Sequence, residues 1–442
     1  MKISIDSILT KLSDLSQRAL TPEISRSTGR NTEPGDVEIT KIYIGAAGKP
    51  ENRIDISNQV KTIEIFESIF MPVVCAEIGL ADPVGLVDRY NIQAGDIVTF
   101  GLRTPGSDNF QEWEFAVREV GSKQFNANLK TQTYTLPLVS VEALRNSVVV
   151  VDFKAKDNIN NIVKRVFDRY IKTRKRVEVD PTKSIEDLPP LTSNPPFRII
   201  SYLLGYAYST KYKSNAYVFF ENKDGYHFTA VEKLIEQGTR KYTSGNKNDM
   251  EFFYDASTKD SFQDVTIRNI LAFNMLASNQ FSNASKITNK VNTYDLARGN
   301  YKSFFYTSGD ESFVIGANTS PIAQSLTFES TYKQTTREIE FIPFSSDATS
   351  ASIAENKAKR KAFAQMLEQQ TINILVYGDT EITVGQVIKC NLPASVTFED
   401  LQGNSEIYSG LYLVTKVRHM IVNSDKPQHN ISLELKQCGL NV

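Results

Sequence analysis

Cysteine, histidine and tryptophan are scarce in this 442-residue chain, which holds three, three and one of them. Cys75, Cys390 and Cys438 are far apart, and no CxxC or Cys/His cluster occurs. That pattern indicates neither a zinc site nor a disulfide scaffold, and lone cysteines fit folding in a reducing cytoplasm. No sign of charge dominates: 50 basic residues meet 51 acidic ones, a net charge of −1. Such balance provides no general attraction to nucleic acid or anionic lipid. No window approaches the apolar run that spans a bilayer. The opening stretch MKISIDSILTKLSDLSQRAL lacks the continuous apolar core of a secretory signal. A soluble protein is expected. No G-x-S-x-G, P-loop or GxGxxG stands in the strand–helix context that would give it chemistry.

The length suggests two to four domains, and the apolar share of 40%, with 19 Tyr and 25 Phe, suffices for globular cores. Ile5, Ile8, Leu9, Leu12, Leu15 and Ala19 follow helical spacing until Pro22, and residues 21–36 read as a linker. The apolar stripe of this helix either folds back on its own core or serves as a docking arm for a neighbouring subunit.

From 37 to 145 the pattern is that of strands: 37–44, 60–67, 73–80, 97–102, 113–120 and 133–139, separated by Gly, Pro, Asn and Asp clusters. An antiparallel β domain, a small barrel or strongly curved sheet, is predicted. Residues 146–245 are mixed. Asp157 is a candidate N-cap for a helix with Ile159, Ile162, Val163, Val166, Phe167, Tyr170 and Ile171 on one face. Asn194-Pro195-Pro196 opens a second helix, and 216–230 form a hairpin turning at Asn222-Lys223-Asp224-Gly225. Residues 246–330 are polar, with an apolar patch at 270–276. In 331–442 a helix is expected over 353–370, then strands at 372–376, 386–392, 412–421 and 430–436. The predicted class is α+β, predominantly β. Two similar antiparallel β-barrel domains (37–145 and 331–442) flank an α+β insert (146–245) and an irregular or β region (246–330), behind an N-terminal helix and linker (1–36).

The two β regions resemble each other. Residues 94–100 match 384–390, 114–120 match 411–417 and 134–138 match 431–435. The last two matches share an offset of 297 residues (Val120 to Val417, Leu136 to Leu433), and the first is offset by 290 (Gly95 to Gly385). The later copy therefore carries seven more residues, near Pro393 to Tyr408, and loops tolerate such insertions. Duplication explains three strands in the same order better than coincidence does.

With these features the chain resembles the central baseplate hub protein of contractile-tailed, T4-like phages, and more distantly the hub part of VgrG spike proteins. NPPFRIISYLLGYAYS…AYVFFENKDGYHF is similar to that family's second domain, and ITVGQVIKCNLP…SGLYLVTKVRHMI…HNISLELKQC to its second tube domain. The resemblance covers roughly residues 37–442. It implies a non-enzymatic homotrimer whose six tube domains form a pseudo-sixfold ring, adapting a hexameric tail tube to a trimeric central spike. Implied partners are the spike, a tail tube protein or tube initiator, the tape measure and other baseplate proteins. Phage DNA would pass through the lumen without sequence-specific binding. Assembly in the host bacterial cytoplasm and a place in the virion tail baseplate follow. Candidate interface residues carried from the matched motifs are Val117, Val120, Leu136, Leu138, Val414, Val417, Leu433, Leu435, Phe219 and Phe220, with Ile8 and Leu12 on the arm. The competing reading is a peptidoglycan-degrading or receptor-binding tail component.

Other groups carry less. His419 and His429 lie on neighbouring predicted strands with Glu434 as a third candidate ligand, but strand histidines are more often structural. Packing beside Tyr226 and Phe228 explains His227. The carboxylate pairs Glu186-Asp187 and Glu399-Asp400 sit in loops, where adjacency says nothing about separation across a substrate. Lys357, Lys359, Arg360 and Lys361 read as a solvated helix face. No catalytic residue, metal or cofactor is indicated.

Overall fold

The computed structural model describes residues 33–47, 52–107, 109–126, 130–153, 157–183, 191–212, 214–243, 251–254, 266–275, 288–295, 299–307, 335–341, 360, 367, 370–392 and 408–440. The predicted helix over 5–19, with Ile8 and Leu12, lies outside them. So does most of the predicted helix over 353–370, of which Arg360 and Leu367 are described and helical. No described helix is long and apolar enough to cross a membrane.

The molecule is predominantly β. One 15-stranded sheet runs through both halves of the chain. In its first half, Val60–Ser68 pairs with Cys75–Asp82, which pairs with Thr131–Ser140, then Gln111–Val117, then Ile97–Arg103. In its second half, Ile267–Met275 pairs with Gln370–Tyr377, then Gln428–Leu440, then Gly410–Val422, then Val387–Asn391. The halves have the same strand order, and they also share register. Ile97 faces Ala116 and Val98 faces Phe115; at the matched positions Val387 faces Leu413 and Ile388 faces Tyr412. Val117 opposite Leu138 becomes Val414 opposite Leu435, and Ala76 opposite Leu138 becomes Ile372 opposite Leu435.

The turns before the third strand repeat as well. The Gly95 N–H donates to the Val117 carbonyl (2.8 Å) and the Gly385 N–H to the Val414 carbonyl (2.9 Å). Both glycines have left-handed φ, 94° and 85°. The sequence matches over 94–139 and 384–436 therefore correspond to one strand arrangement used twice.

Each half curls around its own apolar core. Ile63, Ile65, Ile78, Val98, Phe115, Val117, Leu136 and Leu138 fill the first. Ile372, Ile374, Val387, Tyr412, Val414, Leu433 and Leu435 belong to the second. Alternate burial along Thr131–Ser140 and Gln370–Tyr377 is the two-residue period expected of strands with one face inward. The strand predicted over 37–44 is broken at Thr40, whose hydroxyl takes the Gly101 N–H (2.6 Å) and interrupts the ladder. The strand predicted over 113–120 ends at Val117.

Between the halves lies the α+β insert. Its helix Ile159–Val166 continues through a wider turn, Phe167–Ile171, and Lys172 ends it in left-handed conformation. Asn158 is the N-cap, not Asp157. The Asp157 carboxylate instead accepts the Asn158 N–H (2.7 Å) and the Asn161 amide (2.8 Å), ordering the first turn from one residue earlier. Pro196 opens the helix Pro196–Leu203, where its missing N–H costs nothing. The predicted hairpin forms as Tyr217–Asn222 and Gly225–Ala230, with Arg176–Val179 added in parallel. Phe167, Phe197, Phe219 and Tyr226 meet ring to ring in the insert core. Two further helices, Val141–Val148 and Val231–Thr243, have no counterpart in the sequence prediction. The weakly patterned 246–330 region contains strands Glu251–Phe253, Ile267–Met275, Thr288–Asp295 and Asn300–Thr307.

The two left-handed glycines differ in surroundings. A Cβ on Gly95 would meet nothing within 4 Å, whereas one on Gly385 would sit 3.1 Å from the Phe220 ring. Gly95→Ala should cost only the backbone penalty, ~1–2 kcal/mol. Gly385→Ala should cost measurably more, and Gly385→Val more again. Urea unfolding of the three variants checks this order; equal losses would show that Phe220 does not press on the turn.

Candidate assembly surface

The halves are joined by backbone. Gly410–Val422 is long enough to serve two partners: its first part pairs with Val387–Asn391, and Lys416–Val422 then pairs with Val60–Ser68 of the first half. Val417 stands opposite Glu67, His419 opposite Ile65 and Ile421 opposite Ile63. Side chains reinforce the seam. Arg418 reaches Glu64 at 2.8 Å and lies over the Phe66 ring. Ile69 donates its N–H to the Thr415 carbonyl (3.0 Å).

Glu67 is the most unusual group at this seam. It is 2% exposed. One carboxyl oxygen accepts the Val384 N–H (3.1 Å) and the Thr383 hydroxyl, and the other has no partner. Burial pushes the Glu67 carboxyl up to about 7, although both donors act against the shift.

The insert wedges into the same seam. Tyr217–Asn222 is buried on both faces: Tyr217 and Phe219 enter the insert core, Val218 and Phe220 the core of the second half. Its tip touches both halves, since the Gln111 amide donates to the Lys223 carbonyl (3.3 Å) and Lys223 pairs with Glu381 (2.7 Å). A charged cluster fixes the other end. The Lys175 ammonium holds Glu221 at 2.6 Å and Glu142 at 2.9 Å, and Glu221 also accepts the Val74 N–H (2.9 Å). Burial alone would depress the Lys175 ammonium; the two carboxylates outweigh it and hold it above the ordinary lysine value.

His419 and His429 do come together, Nδ1 to Nε2 at 3.0 Å, both buried. Glu434 does not join them; it bonds Lys416 (2.7 Å) and Thr415 (3.0 Å). Burial holds the His419 imidazole down to about 3 and His429 well below its ordinary value, so both are neutral near pH 7. Among the described residues no group of three or more His, Cys, Asp or Glu could hold a metal. His227 stacks on Phe220 and bonds Asn222 at 2.9 Å. The loop pairs Glu186-Asp187 and Glu399-Asp400 lie outside the described residues, as do Lys357, Lys359 and Lys361.

Nine of the candidate interface residues are occupied inside the chain. Val117, Leu136 and Leu138 lie in the first core, Val414, Val417, Leu433, Leu435 and Phe220 in the second, and Phe219 in the insert. Val120 is half-buried against the first core. These side chains hold the chain to itself, and a surface between chains has to be sought at the edges of the sheet.

Two such edges carry the same design as the internal seam. Residues 119–125 stand at the same offset as 416–422 and also run beside Thr131–Ser140: the Gly121 N–H donates to the Thr135 carbonyl (2.9 Å), and from Gln124 the register is one residue out, Gln124 facing Thr133 where Ile421 faces His429. Among the described residues no strand covers their other side, where the copy meets Val60–Ser68. Ile267–Met275 is the copy of Val60–Ser68, since it pairs with Gln370–Tyr377 as Val60–Ser68 pairs with Cys75–Asp82. It forms the opposite margin of the sheet, and its outer edge is likewise uncovered among the described residues. Phe125 (67% exposed) and Leu271 (51%) are large apolar side chains on these two edges. No apolar pattern marks this surface, because what it offers is backbone left unpaired among the described residues.

Burial raises the folded-state pKa of Glu67 above the unfolded value. Its contribution is therefore complete below about pH 4.5 and lost as pH rises through about 7. Glu67→Gln keeps an acceptor for both donors and removes the ionisation. It should be more stable than the parent at pH 8, by up to ~3 kcal/mol, with the difference shrinking toward pH 4. Thermal melts across that range check it, and a constant difference would show that Glu67 ionises freely.

No family model and no curated sequence matches the chain. Solved structures do. The tail protein from Neisseria meningitidis MC58 superposes with a TM-score of 0.52 at 10% identity, over 90% of this chain and 96% of that one. The prophage MuSo2 43 kDa tail protein from Shewanella oneidensis gives 0.50 at 9% identity, over 90% and 98%. Prophage tail protein gp18 from Listeria monocytogenes EGD-e gives 0.46 at 11%, over 89% and 94%. The first two show a shared fold over nearly the whole length of each chain, and the likeness to tail proteins read from the sequence has this counterpart in structure.

Proposed function

We propose that this chain is a structural subunit of a contractile-tail baseplate, its central hub, and that copies of it join head to tail through their sheet edges into a closed ring. One observation carries the reading: the seam between the halves is made from two strands, and among the described residues the duplicate of each is uncovered, one at either margin of the sheet. Repeating the internal seam between chains places Val120 near Met275 and Gly121 near Asn274 of the next copy. A surface that differs from its complement adds copies in one direction, and closure gives a ring. The alternative is an open filament, and two bare edges are an aggregation hazard unless paired.

Three chains would supply six alike sheet units. That is the number required to continue a sixfold tail tube while presenting a threefold platform to a spike. The tail proteins that share the fold support a tail role. On this reading the inserts form the platform and the sheet units wall a channel through which DNA passes.

The purified chain should show the mass of a trimer by native mass spectrometry and an annular particle by negative-stain microscopy. Phe125→Lys with Leu271→Lys puts two like charges on the seam between chains. That variant should be a monomer with an unchanged first melting transition. A parent that stays monomeric at every concentration, or a variant that assembles as the parent does, would overturn the proposed seam.

A further inference from the structure

The helix Ile159–Val166, continued to Ile171, buries Ile159, Ile162, Val163, Val166, Phe167 and Ile171 in the insert core. Its outer face is strongly basic. Residues 157–176 hold seven cations and two acids, whereas the whole chain has a net charge of −1. Lys175 is used inside, in the cluster with Glu142 and Glu221. Lys164, Arg165, Arg169, Lys172, Arg174 and Arg176 are exposed.

Only part of this charge is answered within the molecule. Arg165 meets Asp157 at 2.9 Å and Arg176 meets Glu178 at 3.5 Å. Lys164, Arg169, Lys172 and Arg174 make no ion pair among the described residues. Lys172 and Arg174 suit the negative end of the helix. Lys164, Arg165 and Arg169 gain less from that end, and Arg165 and Arg169 are four residues apart on one face, where like charges cost a few tenths of a kcal/mol. Asn161, Lys164, Arg165, Asp168 and Arg169 enclose a shallow depression of about 400 Å³.

We infer that this helix face is the docking surface for a protein partner that presents clustered carboxylates. The arginine forks match carboxylates in bidentate geometry. Asp168, exposed in the middle of the face, would repel a continuous polyanion, while separate carboxylates can be arranged around it. Nor is an aromatic ring free there to stack on bases: Tyr170 is half-buried against the core with Arg169 beside its ring. An acidic protein surface is therefore favoured over nucleic acid. The inference does not depend on ring formation.

The probe is a fluorescent peptide of spaced acidic pairs, Glu-Glu-Gly-Ser repeated three times, titrated with the full chain and read by anisotropy, against a duplex DNA of arbitrary sequence. The peptide should bind at low salt and lose at least about tenfold in affinity between roughly 50 and 300 mM salt, as screening demands. Arg165→Glu with Arg169→Glu should abolish binding, and Arg89→Glu, on the first sheet half, should not. Should the double reversal fail to fold, Arg169→Ala with Lys172→Ala should still weaken the peptide severalfold. No binding at low salt, or binding indifferent to these substitutions, overturns the inference. So does duplex DNA that binds more tightly than the peptide through the same arginines.

Discussion

The ladder between Val60–Ser68 and Lys416–Val422 sets the position of everything else. It is backbone pairing, so it depends little on which side chains flank it, and it fuses two curled halves into one sheet. Without it each half would own a core but no fixed place relative to the other. With it, the turn at Gly385 is brought against Glu67, and a cleft is formed whose walls come from both halves. The insert hairpin fills that cleft and is apolar on both faces because each face meets a different core.

Side-chain chemistry at the seam trims an arrangement that the backbone has already imposed. Lys175 gathers two buried carboxylates from separate elements, and leaving either of them unpaired would cost far more than the pair gains over an apolar substitute. The His419–His429 contact is of the same kind: two buried neutral rings share one hydrogen bond, beside Gly378, where any Cβ would strike the His429 ring. The two histidines look chemical in the sequence; in the fold each is buried against the other and held neutral by that burial.

Much of the fold was legible in the sequence, in particular ways. Alternation exposed most strands, and turn chemistry placed the hairpin at Asn222–Gly225. Three of the five repeated strands match in sequence, because they follow one another in the same order in both copies. Gln370–Tyr377 reads as a strand over 372–376 but not as a repeat, and Ile267–Met275 only as an apolar patch: a long insertion splits these two, where their counterparts at 60–68 and 75–82 are joined by a short loop. The helix Val231–Thr243 has the spacing Val231, Leu234, Ile235, then Gly238 where an apolar residue would be expected. Gly238 lies so close to Val387 that a Cβ would approach to 2.3 Å, so close packing erased the signal. The candidate interface residues lie in the chain's own cores for a related reason. An apolar strand residue announces burial and cannot say in whose core, whereas an unpaired edge has no residue signature.

The seam joins strands far apart in sequence: Glu64 and Arg418, which meet across it, are separated by 354 residues. At roughly 5–20 residues per second of synthesis, the Val60–Ser68 strand waits on the order of 20–70 s for its partner to leave the ribosome. Through that interval a nascent chain shows its neighbours on the polysome a vacant strand edge that any exposed strand can pair with. The time during which the wrong chain can seize it is set by translation, and faithful folding becomes a race between elongation and encounter.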